Sequence, residues 1–172
     1  MKKLLIQTSC ILVLTLLLTG CDIGDDVQCP SPLTGALTST ETDLVGEWVL
    51  SAIVAEDAVD LTNDQVSNPS TDIYSQYSAC QRDLVYTFGN DRKYKVEQGL
   101  TATNCQNKQT LQGTWRLSNI NLNLVVGCST QNTEIEFGEN KTTFSQEATV
   151  RFNNVDGFTI TTLVVFTYTK SE

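Results

Sequence analysis

The sequence predicts an all-β protein: an up-and-down antiparallel barrel of about eight strands, with a short helix in the first connection. Three observations predict it. From Leu44 onward the apolar residues recur with a period of two rather than 3.6. The links between the apolar runs are short and carry Asn, Asp and Gly, so consecutive runs become antiparallel neighbours. Eight sequential strands can close on themselves, which removes both exposed edges. A two-sheet sandwich is the alternative, because periodicity does not report closure.

Residues 1–20 are set aside before any fold reasoning. Lys2 and Lys3 form a positive start, and Leu4 to Leu18 is an apolar run ending in Leu18-Thr19-Gly20-Cys21. That ending resembles the bacterial lipobox. The resemblance implies cleavage before Cys21, a diacylglycerol on its thiol and, usually, an acylated amino group. The run is short for a membrane-spanning helix of about 20 residues, so lipidation is expected rather than an uncleaved anchor. The expected partner is therefore the lipid bilayer, through acylated Cys21, and the expected location is the cell envelope at the outer membrane. Asp22, Asp25 and Asp26 follow closely. They resemble an inner-membrane retention signal by the rule of enteric bacteria, or a surface-export signal by the rule of Bacteroidota. The plain alternative is a solvated acidic linker.

Residues 21–43 read as a tether. Gly24, Pro30, Pro32, Gly35 and a Ser/Thr-rich stretch lack a repeating apolar face, which predicts an extended, mobile spacer. Cys29 interrupts it and is a candidate for pinning to the domain at 44–172.

Within that domain, Trp48, Leu50, Ala52 and Val54 alternate with Glu47, Val49, Ser51 and Ile53. The stretch from Glu56 to Gln81 is long and polar for a hairpin link. There Asn68-Pro69 resembles a helix cap with proline in the first turn, and Ile73 and Tyr77 stand four apart, enough for a short helix across a barrel mouth. An ordinary loop is the alternative. Leu84, Tyr86 and Phe88 alternate next, Gly89-Asn90-Asp91 turns, and Tyr94 and Val96 return, which is a hairpin pattern. Leu111, Gly113, Trp115 and Leu117 lead through a turn at 119–121 to Leu122, Leu124 and Val126. Ile135 and Phe137 precede the Gly138 turn. Phe144, Ala148, Val150 and Phe152 follow, and after a turn at 153–157 come Phe158, Ile160, Val164, Phe166 and Tyr168.

Several function classes drop out on composition. The chain has 172 residues, room for about one ordinary domain. Its net charge of −9 repels phosphate backbones, so nucleic-acid binding is not expected. It has no histidine, which removes Ser-His-Asp and Cys-His catalysis. No Gly-rich phosphate loop, HExxH or nucleophile elbow occurs. Catalysis is not expected, and neither is a cofactor.

Gly46-x-Trp48 at the head of the first strand resembles the start of lipocalins and related barrels. There the Gly lets the backbone turn inward and the Trp plugs the closed end. Cys80, the run Asp83 to Phe88, the Asn90-Asp91 turn, Tyr94, Cys105, Gly113-Thr114-Trp115 and Leu122 resemble the lipocalin-like domains of bacterial lipoproteins, abundant in Bacteroidota. The resemblance covers about residues 44–168. It implies a barrel with a possible cavity and no catalytic residue.

Cys10 belongs to the leader and Cys21 to the lipid. Cys29, Cys80, Cys105 and Cys128 remain, an even number in an exported chain, which predicts two disulfides. The Asn90-Asp91 turn places Cys80 near Thr101, so Cys80–Cys105 is preferred, leaving Cys29–Cys128. Cys105–Cys128 is the rival, because the turn at Asn119 places Cys128 opposite Leu111. Zinc would need close ligand pairs that these spacings lack.

The remaining candidates are weaker. Glu134 and Glu136 share the outer face of one strand and read as solvated charge rather than an acid–base pair. Glu56, Asp57 and Asp60 do not fit a spaced calcium loop. Arg92, Lys93, Lys95 and Lys108 form a small basic patch. The inward aromatics fill a core or line a pocket for one small hydrophobic ligand. Trp115, Tyr86, Tyr94 and Phe166 are the candidate contacts. Two functional classes follow: a carrier of a small apolar molecule, or an envelope interaction module with a closed core.

Overall fold

The computed structural model describes residues 28–171. The expected leader at 1–20, Cys10, Cys21 and the acidic Asp22, Asp25 and Asp26 lie outside the described residues. Nine strands form one sheet: β1 (Gly46–Val59), β2 (Ser70–Asp72), β3 (Leu84–Phe88), β4 (Lys93–Gln98), β5 (Gln109–Ser118), β6 (Asn121–Val126), β7 (Ser129–Phe137), β8 (Thr143–Asn153) and β9 (Thr159–Lys170). All of their pairings are antiparallel, and β9 returns to pair with β1, so β1 and β3–β9 close an eight-stranded barrel. The three-residue β2 adds to the far half of β1 outside the ring. Three short helices complete the described residues: α1 (Ser39–Leu44), α2 (Ile73–Gln76) and α3 (Ala79–Arg82).

Each turn follows from local chemistry. Asn119 and Gly127 adopt positive φ where β5–β6 and β6–β7 reverse, and Gly157 does so between β8 and β9. Gly46 has φ of 132°, and a Cβ there would meet Lys170 Cε at 2.8 Å, so only glycine fits where β1 enters. The disulfides are Cys29–Cys128 and Cys80–Cys105, the preferred pairing.

One end of the barrel is closed. There Trp48 is fully buried, its indole N–H donates to Leu44 O at 2.8 Å, and the Lys170 ammonium lies 5.1 Å from its ring. Lys170 Nζ also donates to Asp43 O at 3.0 Å. The capping box of α1, built by Thr38 and Glu41, holds this helix at the closed end.

The inward alternation holds for most strands, although Leu111 and Ala148, both expected inward, are exposed, and four further expectations fail. On β1, Ser51 is an extra residue between Leu50, opposite Tyr168, and Ala52, opposite Thr167. This bulge reverses the pleat, so Ile53 and Ala55 are buried and Val54 is exposed, the opposite of a strict alternation. Phe158 sits in the β8–β9 turn, 72% exposed, rather than in the core. Asn68-Pro69 caps no helix: Asp72 caps α2 by accepting from Ser75 N at 3.1 Å, because β2 occupies the residues between. Arg92 belongs to no surface patch, because its positive φ of 70° turns it inward at the closed end, where it is buried.

The stretch that composition reads as a spacer is in part a strap. Leu33 N donates to Thr114 Oγ1 at 2.8 Å, and Arg116 donates to Thr34 O at 3.0 Å. Arg92 donates to Gly35 O at 3.1 Å and to Ala36 O at 2.7 Å. Residues 29–44 thus run down the outer wall from the Cys128 turn to the closed end. Arg92 pairs there with the buried Glu41 carboxylate, which also accepts from Leu117 N at 3.1 Å and Thr38 N at 2.7 Å.

Candidate functional site

The barrel interior divides into a packed part and an open part. The packed part is a continuous set of rings. Trp48 meets Phe144 edge-on at 5.0 Å, and Phe144 stacks on Tyr168 at 4.8 Å. Tyr168 meets Tyr86 edge-on at 5.2 Å, Tyr86 stacks on Phe88 at 5.7 Å, and Phe88 meets Trp115 at 5.3 Å. These separations are those of favourable aromatic contacts. The rings come from β1, β3, β5, β8 and β9, each at an inward position of its strand.

The open part lies toward β6, β7 and β8. A cavity of about 390 Å³ is lined by Tyr86, Leu122, Leu124 and Phe144 on its apolar side and by Gln131, Asn132, Thr133 and Gln146 on its polar side. That volume lies in the range of small-molecule sites. None of these eight side chains is charged. The cavity opens because β7 and β8 part. They pair only through Ile135 with Gln146, Glu136 with Ser145 and Phe137 with Phe144. The same strands stay paired to their other neighbours, β7 to β6 through Ser129 and β8 to β9 through Asn153. A second hollow, lined among others by Ile120, Glu134, Glu136 and Glu147, lies against the same seam and shares Asn132, Thr133 and Gln146 with the first.

One phenol, Tyr86, lines the cavity, and a second, Tyr168, lies buried behind Gln146 and Phe144. Gln146 Nε2 donates to the Tyr168 hydroxyl at 3.2 Å, and Tyr168 in turn is hydrogen-bonded with Tyr86. Burial pushes Tyr168 far above the ordinary phenol range, with the neighbouring Tyr86 adding to the shift. Burial also raises Tyr86, and Tyr94 adds to that while the bond to Tyr168 opposes it. Both rings are therefore neutral hydrogen-bonding groups at physiological pH.

Of the four candidate contacts, Tyr86 lines the cavity. Trp115 does not: it is fully buried, bonded through Nε1 to Gly89 O at 3.0 Å and covered by the Arg92 guanidinium at 5.7 Å. Tyr94 packs on Phe88 within the core, and Phe166 packs against the core without lining the cavity. Leu122, Leu124 and Phe144 were legible as inward positions by alternation. Gln131 was not, because its strand carries few apolar residues to mark the parity. Among the described residues no group of His, Cys, Asp and Glu is placed to hold a metal ion. No helix among them is long and apolar enough to cross a membrane.

The fold and site define a closed eight-stranded antiparallel barrel with a partly filled interior and a side-opening cavity. Residues 23–171 match the family described as Domain of unknown function (DUF5004), and the chain belongs to that family. No curated protein matches it.

Proposed function

We propose that this protein is a lipid-anchored envelope protein whose lipocalin-like barrel binds one small, uncharged, largely apolar molecule. The single observation that supports binding is the uncharged cavity beside β7 and β8, with Leu122, Leu124 and Phe144 on its apolar side, the Tyr86 phenol, and amides at its lip. The uncharged lining favours a ligand with an apolar body and one or two hydrogen-bonding groups, since a buried charge would lack a partner. The lipobox supports the anchor, and acylation with two or three chains holds a protein stably on a bilayer. The acidic residues after Cys21 support an envelope location of the Bacteroidota type, at the outer membrane. No residue in the cavity is offered as a catalyst.

The test is native mass spectrometry of the protein extracted from its own envelope in mild detergent. The expected spectrum has a mature amino terminus at acylated Cys21 and one additional small neutral mass that is lost on unfolding. An unmodified terminus elsewhere would refute the anchor. A folded protein carrying no adduct, and taking none from a neutral lipid extract, would move the closed-core interaction module to first place.

A further inference from the structure

We infer that the end of the barrel opposite the Trp48 plug is a bilayer-docking surface, which sets the side-opening cavity beside the membrane from which its ligand is taken. This rests on the lipid anchor and cavity proposed above, and it adds the orientation of the barrel and the source of the ligand.

The first observation is covalent. Cys29 is joined to Cys128, which lies in the turn between β6 and β7. From Cys21 to Cys29 is eight residues, roughly 26–29 Å when fully extended. Without that bond the leash would run to the start of the strap at Leu33 or beyond. The bonded turn belongs to the end opposite the Trp48 plug, here the open end because β7 and β8 part toward it, where β1, β4, β6 and β8 finish. Gln131 of the cavity lip is three residues past Cys128, about 10 Å along the strand. The bond therefore ties the mouth, not the Trp48 plug, to the anchor point.

The second observation is the distribution of exposed apolar side chains. Phe158 is 72% exposed, Val66 60%, Val155 48% and Leu100 39%. All four lie in loops of the open end: the β8–β9 turn, the connection after β1 and the connection after β4. Val66 and Val155 line one hollow together, and Val155 N donates to Asp60 O at 3.0 Å, so two of these loops form a joint tip. An aromatic side chain left in water at a loop tip suits an interfacial position. Among the described residues the closed end carries Ile120 and Val49, and Val54, Leu111 and Leu163 are exposed along the wall, but no loop of the closed end exposes an aromatic side chain. The occupant is a bilayer because the anchor already places one there. The strongly acidic chain makes an uncharged lipid surface the fitting kind.

The test uses the full lipidated protein in vesicles of phosphatidylcholine and phosphatidylethanolamine with brominated acyl chains. Phe158→Trp and Ile120→Trp each add one exposed indole, at the open and closed ends. Trp48 and Trp115 are fully buried and supply the common background. The expected result is at least threefold stronger quenching of the indole added at 158 than of the one added at 120, with a blue-shifted emission and little dependence on salt. Replacing both Cys29 and Cys128 by Ser should at least halve that difference. Equal quenching at both sites, or stronger quenching at 120, overturns the proposal. If the protein fails to float with the vesicles, the anchor itself fails. If it floats and the indole at 158 is unquenched, the anchor stands and the docking surface fails alone.

Discussion

Glu41→Gln removes the charge from one member of a buried ion pair while keeping its shape. Both Glu41 and Arg92 are almost fully buried. Burial raises the Glu41 pKa, but hydrogen bonds from Arg92, from the backbones of Thr38 and Leu117 and from the Thr38 hydroxyl outweigh it and hold the group at about 2. A fall from 4.5 to about 2 corresponds to roughly 3 kcal/mol of native stability. An independent route gives a similar size: removing one partner of a buried pair costs about 3–5 kcal/mol, because the other charge is stranded. Arg92 would keep its carbonyl partners at Gly35 and Ala36, which places the loss toward the lower figure. Urea unfolding followed by tryptophan emission, with disulfides intact, reads this directly, because Trp115 lies under the Arg92 guanidinium. Because the folded pKa is depressed, the contribution is fully present above pH 4.5 and is lost as pH falls toward 2. Wild type should therefore lose about 3 kcal/mol between pH 5 and pH 2 that Glu41→Gln does not lose. Joint Glu41→Gln and Arg92→Met should cost less than the sum of the two single losses, because the double variant strands neither charge and the introduced amide oxygen still accepts from a backbone N–H, of Leu117 or of Thr38. A loss under about 1 kcal/mol in the single variant, or a double variant as unstable as the sum, refutes the reasoning.

Other perturbations have equally definite outcomes. Gly113→Ala should cost at least about 2 kcal/mol in urea unfolding, because the added Cβ would meet Val125 O at 2.0 Å and Tyr94 Cε1 at 2.8 Å. Replacing Cys29 and Cys128 together by Ser should cost about 4.7 kcal/mol, and replacing Cys80 and Cys105 about 3.5 kcal/mol, since the bonds span 99 and 25 residues. Reversal of that order in unfolding titrations would contradict the loop-closure basis. In alkaline titration read by tyrosinate absorbance, Tyr77, Tyr86, Tyr94 and Tyr168 should ionise above the ordinary value near 10, burial being the main cause in each. Raised folded pKa values contribute stability that is present below pH 10 and falls as pH rises past it, so unfolding should accompany late ionisation.

The strand parity was readable wherever a strand keeps its pleat, as at Leu122, Leu124, Phe144, Phe152, Val164 and Tyr168. It was unreadable past Ser51, because a bulge is set by how β1 meets β9, and Ile53 and Val54 look alike in a linear pattern. Phe158 misled for a related reason: an aromatic next to a strand reads as core until the turn closes behind it at Asn153. Glu41 and Arg92 were invisible as a pair, since 51 positions separate them and each alone reads as surface charge. The disulfide pairing was only half legible: the Asn90-Asp91 turn favoured Cys80–Cys105, which forms, while the Asn119 turn favoured the rival Cys105–Cys128, which does not. The cavity was only half legible, because alternation marks its apolar wall while the parting of β7 and β8 depends on pairing lengths that no single strand reveals.

The central claim is that the interior beside β7 and β8 takes one neutral apolar molecule. Titration of the folded protein with retinol, followed by the probe's own emission, tests it most directly. The predicted result is a saturable rise at one probe per chain, abolished by Gln131→Arg, whose exposed position at the cavity lip leaves the core untouched. A response that never saturates, or one that is unchanged by Gln131→Arg while circular dichroism shows an intact barrel, would contradict it.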